Sequence, residues 1–309
     1  MKALYIASTG MAAQERNVEV ISNNIANMRT TGYKRQRAEF EDLLYQQITR
    51  AGSQTSDQGS MVPAGLEIGS GVRTVSTPRV MSQGTVNITE RELDVAIRGE
   101  GFFMVQLPDG RTAYTRDGSF ERSPDGEIVT STGYPIDPGI TIPGTATSVA
   151  ISPDGMVSAY LDNESTPTQM GQLQLARFVN KSGLESMGDN LFVETAASGP
   201  AQVGVPNADG TGDLMQGYLE MANVNSVTEI ADLIAAQRAY EMNARVISGA
   251  DQMMQATSQL RSGGREDDPA FHHRHAYRPA AVRRRLGRAR AQGRNRGHRR
   301  HRHRGRHVR

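Results

Sequence analysis

The 309-residue chain contains no cysteine and no tryptophan, and none of its apolar runs approaches the length of about 18 residues that indicates a membrane-spanning helix. Without cysteine there can be no disulfide, thiol nucleophile or thiolate metal ligand. Histidine is also absent from residues 1–264, because all seven histidines lie beyond them. This part of the chain therefore cannot form a Ser-His-Asp or Cys-His arrangement, or a histidine-ligated metal site.

Lysine is scarce as well, and the chain has only Lys2, Lys34 and Lys181. Two short glycine pairs, at residues 69–71 and 99–101, lack the third glycine and the following lysine of a phosphate-binding loop. A catalytic pair of carboxylates remains conceivable, but the aspartates lie mostly in Asp-Gly turns. We therefore expect no catalytic residue, no metal ligand and no cofactor in the body of the chain, and the composition argues against an enzyme.

The formal net charge of +2 conceals two regions of opposite charge. Residues 265–309 contain 16 arginines, three acidic residues and every histidine. Residues 1–264 contain 19 basic and 30 acidic residues, which gives a net charge of −11. The acidic body and the basic tail are therefore interpreted separately.

Residues 227–260 have the pattern of one long amphipathic helix. Ser226 and Glu229 stand where the N-cap and N3 residues of a capping box would lie, and Gly263-Gly264 follows the pattern. At a rise of 1.5 Å per residue the helix would be roughly 50 Å long, which exceeds the needs of a small domain core. Its apolar seam repeats every seven residues, with alanines at the intermediate positions: Leu233, Tyr240, Ile247 and Met254, with Ala236 and Ala250.

The first 28 residues have a matching pattern, which predicts a second helix that ends near Asn27. Apolar residues alternate at spacings of three and four, as in a coiled-coil heptad, with one polar position: Leu4, Ala7, Met11, Gln14, Val18, Ile21, Ile25 and Met28. A cleaved signal peptide is the rival interpretation, but Ser8, Thr9 and Gly10 interrupt the apolar run. Matching seams at both ends indicate that the termini pair with each other, with copies of themselves, or both. Ordinary two-helix packing within a monomer is the alternative.

Between the two helices the apolar period changes to two, which indicates β-strands. Three Asp-Gly pairs follow each other at eight-residue spacing, at Asp109, Asp117 and Asp125, and Asp-Gly favours the positive-φ turns of hairpins. Residues 139–148, rich in Thr, Gly and Pro, are expected to be exposed. The predicted fold is therefore mainly β with long α-helical termini that form a coiled coil, and with antiparallel β domains inserted between them.

These patterns predict that the chain has four parts. They are a terminal-helix domain (1–30 with 225–262), a connecting β or extended domain (31–95 with 190–224, including a polar insertion at 46–66), an antiparallel β domain (96–189) and an Arg- and His-rich disordered tail (263–309).

Three separated motifs resemble those of the bacterial flagellar rod and hook proteins, and they occur in the order typical of that family. The motifs are Ile21-Ser22-Asn23-Asn24-Ile25-Ala26-Asn27 followed by Thr31-Gly32-Tyr33-Lys34, then Leu93-Asp94-Val95-Ala96-Ile97-Arg98-Gly99-Glu100-Gly101-Phe102-Phe103, and finally Gln237-Arg238-Ala239-Tyr240-Glu241-Met242-Asn243. The resemblance covers residues 1 to about 261. Within the family it is closest to the distal rod proteins, because of residues 37–46 and the polar insertion that follows them.

The resemblance implies a structural subunit that assembles with copies of itself into a rigid hollow shaft, which crosses the periplasm in the basal body and transmits torque to the hook. It also implies export by the flagellar export apparatus without a cleaved signal peptide. The implied partners are proximal rod and hook subunits and the surrounding periplasmic and outer-membrane rings. The implied self-assembly interface is Leu4, Met11, Val18, Ile21, Ile25, Leu233, Tyr240, Ile247 and Met254. The signature positions are Asn23, Asn24, Ala26, Asn27, Gly32 and Tyr33.

Two alternatives remain at the level of sequence. One is a hook or proximal rod subunit of the same family. The other is a secreted β-domain binding module with a basic anchor, although such a module would not need matching helices at its two ends.

The family pattern does not extend to the tail, residues 265–309. An Arg-rich segment can bind nucleic acid or another polyanion, and its histidines, for example His272, His273 and His275, could hold a metal. The interpretation that we favour is an unselected sequence, because Arg, Ala, Gly, His and Pro without Lys are typical of GC-rich DNA translated in a shifted frame. We expect neither nucleic-acid binding nor independent folding of this segment.

Overall fold

The computed structural model describes residues 2–54, 61–162 and 166–263, with side chains described up to residue 260. Packing divides the chain into two units, Met1–Gln255 and Ala256–Arg309. The contacts described below lie within the first unit. The basic tail, residues 265–309, lies outside the described residues, and so does the prediction that it is disordered. None of the described helices contains a stretch long and apolar enough to cross a membrane.

The chain is mainly β with one helix at each end of the described region. Helix α1 spans Lys2–Ala26 and helix α2 spans Ser226–Gly263. The strands between them are β1 (Glu39–Asp42), β2 (Gln46–Thr49), β3 (Leu66–Ile68), β4 (Val72–Ser76), β5 (Val86–Ile88), β6 (Val95–Arg98), β7 (Phe102–Gln106), β8 (Thr112–Thr115), β9 (Phe120–Arg122), β10 (Ile128–Thr130), β11 (Ile136–Asp137), β12 (Ala146–Ile151), β13 (Met156–Leu161), β14 (Thr168–Gln172), β15 (Leu175–Arg177), β16 (Glu185–Gly188), β17 (Leu191–Val193), β18 (Gln202–Gly204), β19 (Asp213–Gln216) and β20 (Tyr218–Glu220).

The largest sheet has the order β16-β17-β8-β7-β15-β18, with β11 beside β7, and its pairs are antiparallel. A three-stranded sheet has the order β12-β13-β14. Five strand pairs complete the β structure of the described residues, among them β19 with β6 and β20 with β5. These last two pairs lead the chain directly toward α2.

The main hydrophobic core fills the space between strands β6, β7, β13 and β15 and the loop that contains Ile140 and Ile142. Phe103 is fully buried in it, with its ring edge-on to Phe120 at 4.9 Å. The prediction that residues 139–148 are exposed is wrong for Ile140 and Ile142, which are 2% and 1% exposed. These two isoleucines are held against β10 because the Ile140 carbonyl accepts a hydrogen bond from the amide of Ile128.

Two of the three Asp-Gly pairs form the predicted hairpin turns. Gly110 and Gly126 have φ of 82° and 87° and connect β7 to β8 and β9 to β10. Asp117-Gly118 does not, because β8 pairs with β7 and β17, whereas β9 pairs with β10. Its carboxylate instead accepts hydrogen bonds from the amide and hydroxyl of Ser119.

The predicted capping box at the start of α2 is wrong by one residue. The side chain of Asn225 accepts hydrogen bonds from the amides of Val227 and Thr228 at 3.0 and 3.2 Å, so Asn225 is the N-cap. Ser226 is the first helical residue. Glu229 does not close the box, because its carboxylate turns toward Asn24 on α1.

The polar insertion continues a pair of strands that lies along α1. Strand β1 pairs with β4, and the hydroxyl of Thr9 on α1 accepts a hydrogen bond from the amide of Val72 on β4. Beyond this pair, β2 and β3 form an antiparallel hairpin, with a further bridge between Gln54 and Met61. Residues 55–60, which connect Gln54 to Met61, lie outside the described residues.

Candidate functional site

The ends of the two helices and the large sheet meet at a buried polar cluster. The chain leaves α1 and turns back at Gly32, whose φ is 69° and whose amide donates to the carbonyl of Glu220 at 2.7 Å. A Cβ atom at Gly32 would lie 2.7 Å from the backbone of Arg116, so only glycine fits this crossing. The turn places Lys34, two residues after Gly32, inside the protein.

Lys34, Arg116 and Glu220 form the centre of this cluster, which we call the joint. The Lys34 ammonium lies 2.5 Å from one oxygen of the Glu220 carboxylate, and Arg116 Nη2 lies 2.7 Å from the other. Arg116 Nε donates to the same second oxygen at 3.0 Å, and the amide of Gly84 donates to the first at 2.9 Å. The three side chains are 2%, 5% and 0% exposed, so solvent does not screen their charges.

Backbone carbonyls complete the environment of the two cations. Lys34 donates to the carbonyl of Ser82 at 2.9 Å, and Arg116 Nη1 donates to those of Gly99 and Gly101 at 2.9 and 2.6 Å. Burial lowers the pKa of Lys34 below its ordinary value of 10.5, while the Glu220 carboxylate opposes this shift. The joint therefore holds two buried cations and a single buried carboxylate.

A second set of hydrogen bonds centred on Asn24 fastens the base of α1. Its amide nitrogen donates to the carbonyl of Gln36 and to the carboxylate of Glu229, at 2.8 and 3.1 Å. Its amide oxygen accepts from the amide of Gln36 and the hydroxyl of Tyr33, at 2.8 and 3.2 Å. Burial raises the pKa of that Tyr33 hydroxyl. Arg35 lies 3.6 Å from the Glu229 carboxylate and adds a positive charge beside it.

Asn223, between β20 and α2, links the same segment to a third part of the chain. Its side-chain oxygen accepts from the amide of Arg35 at 2.7 Å. Its side-chain nitrogen donates to the carbonyls of Val80 and Ser82 at 2.7 and 3.0 Å. Asn24 and Asn223 therefore hold together residues that are far apart in sequence, and the side-chain oxygen and nitrogen of each form hydrogen bonds within the protein. Such an arrangement is structural.

The two helices approach each other at two places in opposite chain directions. Asn24 contacts Glu229, and a Cβ atom at Gly10 would lie 2.9 Å from the side chain of Asn243. These contacts are two heptads apart on both helices. Between them lies a cleft of about 340 Å³, lined by Asn17, Ile21 and Glu229, among others, and by three alanines of α2, Ala235, Ala236 and Ala239.

The residues of the predicted self-assembly interface differ in exposure in the single chain. Ile21 is buried, and Tyr240 is 43% exposed. The other seven are partly buried: Leu4, Met11, Val18, Ile25, Leu233, Ile247 and Met254.

The signature positions divide into two groups. Asn24 and Gly32 are buried in the cluster, and Tyr33 is partly buried beside them. Asn23 and Asn27 instead bond to each other one turn apart at the end of α1, and Ala26 is exposed. Sequence reasoning missed Arg116, Glu220 and Asn223 because charged and amide side chains are usually exposed, and nothing local distinguishes buried ones. Among the described residues, no group of three potential metal ligands was found.

Three family models match the chain. They are the flagella basal body rod protein model at residues 4–34, the D1 domain of the flagellar hook protein FlgE/F/G at residues 96–159, and the C-terminal model of the flagellar basal body rod FlgEFG proteins at residues 215–260. The first of these matches covers most of α1 and the third covers most of α2, and the third ends before the basic tail.

Curated relatives match over almost their whole length. The flagellar basal-body rod protein FlgG of Caulobacter vibrioides is 58% identical over 262 residues, which cover 85% of this chain and 100% of the relative. The proteins of the same name from Borreliella burgdorferi and Bacillus subtilis are 44% and 35% identical, and each alignment covers 84% of this chain and 99% of the relative. The chain therefore belongs to the FlgG family of flagellar basal-body rod proteins, the structural subunits of the distal rod.

Proposed function

We propose that the chain assembles with copies of itself into the distal rod, a hollow shaft that transmits torque from the motor to the hook. The observation that carries this proposal is the meeting of the two chain ends, since α1 and α2 contact each other antiparallel, with the same spacing between contacts on both helices. The identity to rod proteins from three distant bacteria favours this role over a hook subunit or a secreted binding module.

In the proposed shaft the paired helices form a coiled coil whose remaining apolar surface is covered by neighbouring copies. The seam residues that are only partly buried in the single chain, among them Leu233 and Ile247, would be buried further by assembly. Ile230, Ile234 and Val246 on α2 are 49%, 44% and 52% exposed, which supports additional contacts between subunits. The nine interface residues named above are proposed in this role.

We propose a separate role for each of the predicted domains. The helices (1–30 with 225–262) line the shaft, the β domain (96–189) faces outward, and the connecting domain (31–95 with 190–224) holds them together. The insertion (46–66) is proposed to brace neighbouring subunits. The exposure of Ile48 and Leu66 on its hairpin, and of Tyr45 directly before it, supports this. Proximal rod subunits, hook subunits and the surrounding rings are the proposed further partners, after export without a cleaved signal peptide.

Complementation tests the proposal directly. A bacterial strain that lacks its own distal rod gene is supplied with this chain, and its purified basal bodies are imaged by negative stain. We expect rods of full length that carry hooks, and recovery of swimming. A strain supplied with empty vector is the control. Basal bodies that stop at the proximal rod although the chain is expressed would contradict the proposal.

A further inference from the structure

The joint connects segments that are separated by most of the chain. Glu220 ends β20, and α2 begins six residues later at Ser226. Its carboxylate contacts Lys34, from the segment that follows α1, and Arg116, which directly follows β8 of the large sheet. One side chain therefore touches the segment after α1 and the large sheet, while its own strand leads to α2.

Charge balance makes the three members of the joint unequal. Two cations share one carboxylate, and all three side chains are at least nine-tenths buried. If Glu220 is neutralised, Lys34 and Arg116 remain as two buried cations with no opposite charge between them. If Lys34 is neutralised, Arg116 and Glu220 remain as a balanced pair that keeps its two contacts of 3.0 and 2.7 Å. Burial of unpaired charge is strongly unfavourable, whereas a balanced, hydrogen-bonded pair is tolerated.

The backbone also tolerates the loss of Lys34 better than the loss of Glu220. The carbonyl of Ser82, which accepts from Lys34, also accepts from Asn223 at 3.0 Å. The amide of Gly84, in contrast, donates to the Glu220 carboxylate, so a change at Glu220 also affects this backbone hydrogen bond.

We propose that Glu220 is the positioning residue that fixes the base of the terminal helices to the large sheet, and that it does so as the one carboxylate shared by two buried cations. In the shaft, the joint would be the place where load passes between the helices and the outward-facing β domain. This mechanical role rests on the proposed function, but the positioning role is a property of the single chain.

The test uses the absence of cysteine, which allows two spin labels to be introduced without background. Ser22 near the end of α1 and Val203 on β18 of the large sheet are exposed, and each is replaced by cysteine in the full-length chain. Pulsed electron paramagnetic resonance then measures the distribution of distances between the labels. We expect one narrow distribution for the otherwise unchanged chain and for Lys34→Met, and loss of the narrow distribution in Glu220→Gln.

A matched control separates this effect from the general loss of an ion pair. Asp213 on β19 binds Arg98 on β6 through both carboxylate oxygens, and the Arg98 side chain is 64% exposed. Asp213→Asn makes the same chemical change as Glu220→Gln but removes a pair that solvent screens. We expect the narrow distribution to persist in Asp213→Asn.

If Glu220→Gln does not fold, the double variant Lys34→Met/Glu220→Gln replaces it, because removal of one buried cation should restore folding and part of the narrow distribution. A narrow distribution in Glu220→Gln would overturn the proposal. So would equal broadening in Lys34→Met and Glu220→Gln, since this would mean that hydrogen bonds rather than charge balance hold the joint. The measurement needs no assembled rod, so it can succeed or fail independently of complementation.

Discussion

Lys34 is a buried lysine whose ammonium has one carboxylate and one carbonyl as acceptors. Burial lowers its pKa, and Arg116 contributes in the same direction, while Glu220 and the more distant Glu100 act against the shift. The unfolded chain therefore binds a proton at Lys34 up to a higher pH than the folded chain does. In the interval between the lowered pKa and 10.5, rising pH should increase the free energy of unfolding.

The predicted increase in the free energy of unfolding with rising pH is tested by comparing the unchanged chain with Lys34→Met. Urea unfolding of both proteins is measured from neutral pH to pH 10.5, and the difference in free energy of unfolding is taken at each pH. Tyr33, whose pKa is raised, titrates in both proteins. The charges that act on it are those of Arg79 and Glu229 and not that of Lys34, so its effect cancels in the difference. We expect the unchanged chain to gain stability relative to Lys34→Met as pH rises. A difference that stays constant or falls would contradict the pKa shift.

At the residue scale the sequence predicted some members of the polar cluster and missed others. Asn24, Gly32 and Tyr33 were identified because they belong to a recognisable motif, and the structure places them in or beside the cluster. Glu229 was assigned to a capping box because its spacing from Ser226 fits one. The partner that it takes instead, Asn24, lies more than two hundred residues away, and local spacing carries no information about such contacts.

At the element scale, local periodicity predicted the helices within a few residues, since Ser226–Gly263 matches the expected 227–260 and α1 ends one residue before Asn27. Strands that flank an Asp-Gly hairpin turn, such as β7, were also predicted. Short strands such as β16 and β18 were not, because sequences like Glu-Ser-Met-Gly become extended only through pairing with a neighbour.

The two helical glycines provide a test of helix contact. Glycine within a helix is less stable than alanine by about 0.5–1 kcal/mol. A Cβ atom at Gly249 meets nothing within 4 Å, so Gly249→Ala should recover this amount. Gly10→Ala should gain less, because its Cβ would lie 2.9 Å from Asn243 Nδ2 and displace that side chain. Chemical unfolding followed by far-ultraviolet circular dichroism measures both, and equal gains would contradict the contact.

At the scale of the whole molecule, the basic tail is expected to be dispensable. The family-model matches end at residue 260, and residues 265–309 contain 16 arginines and three acidic residues, so many copies in one shaft would repel each other. A chain that ends at Gly264 should therefore restore swimming as well as the full chain does, or better. A chain that ends at Arg245 lacks Ile247 and Met254 and should fail. Loss of swimming on removal of the tail alone would show that the tail has a function.

The central claim, that the paired terminal helices build the shaft, is tested most directly by Ile247→Asp. Assembly would bury this carboxylate without a partner, which is unfavourable by several kcal/mol at each contact. Glu241→Gln is the control, because Glu241 is 65% exposed and pairs only weakly with Arg245 at 3.8 Å. The thermal midpoint of the purified Ile247→Asp chain shows whether the β domain remains folded.

Imaging of basal bodies from strains that carry each variant is the deciding measurement. The account predicts that Ile247→Asp is expressed and exported, keeps the melting of its β domain, and yet produces no distal rod and no hook, while Glu241→Gln produces both. An Ile247→Asp strain that builds full-length rods and swims would contradict the account.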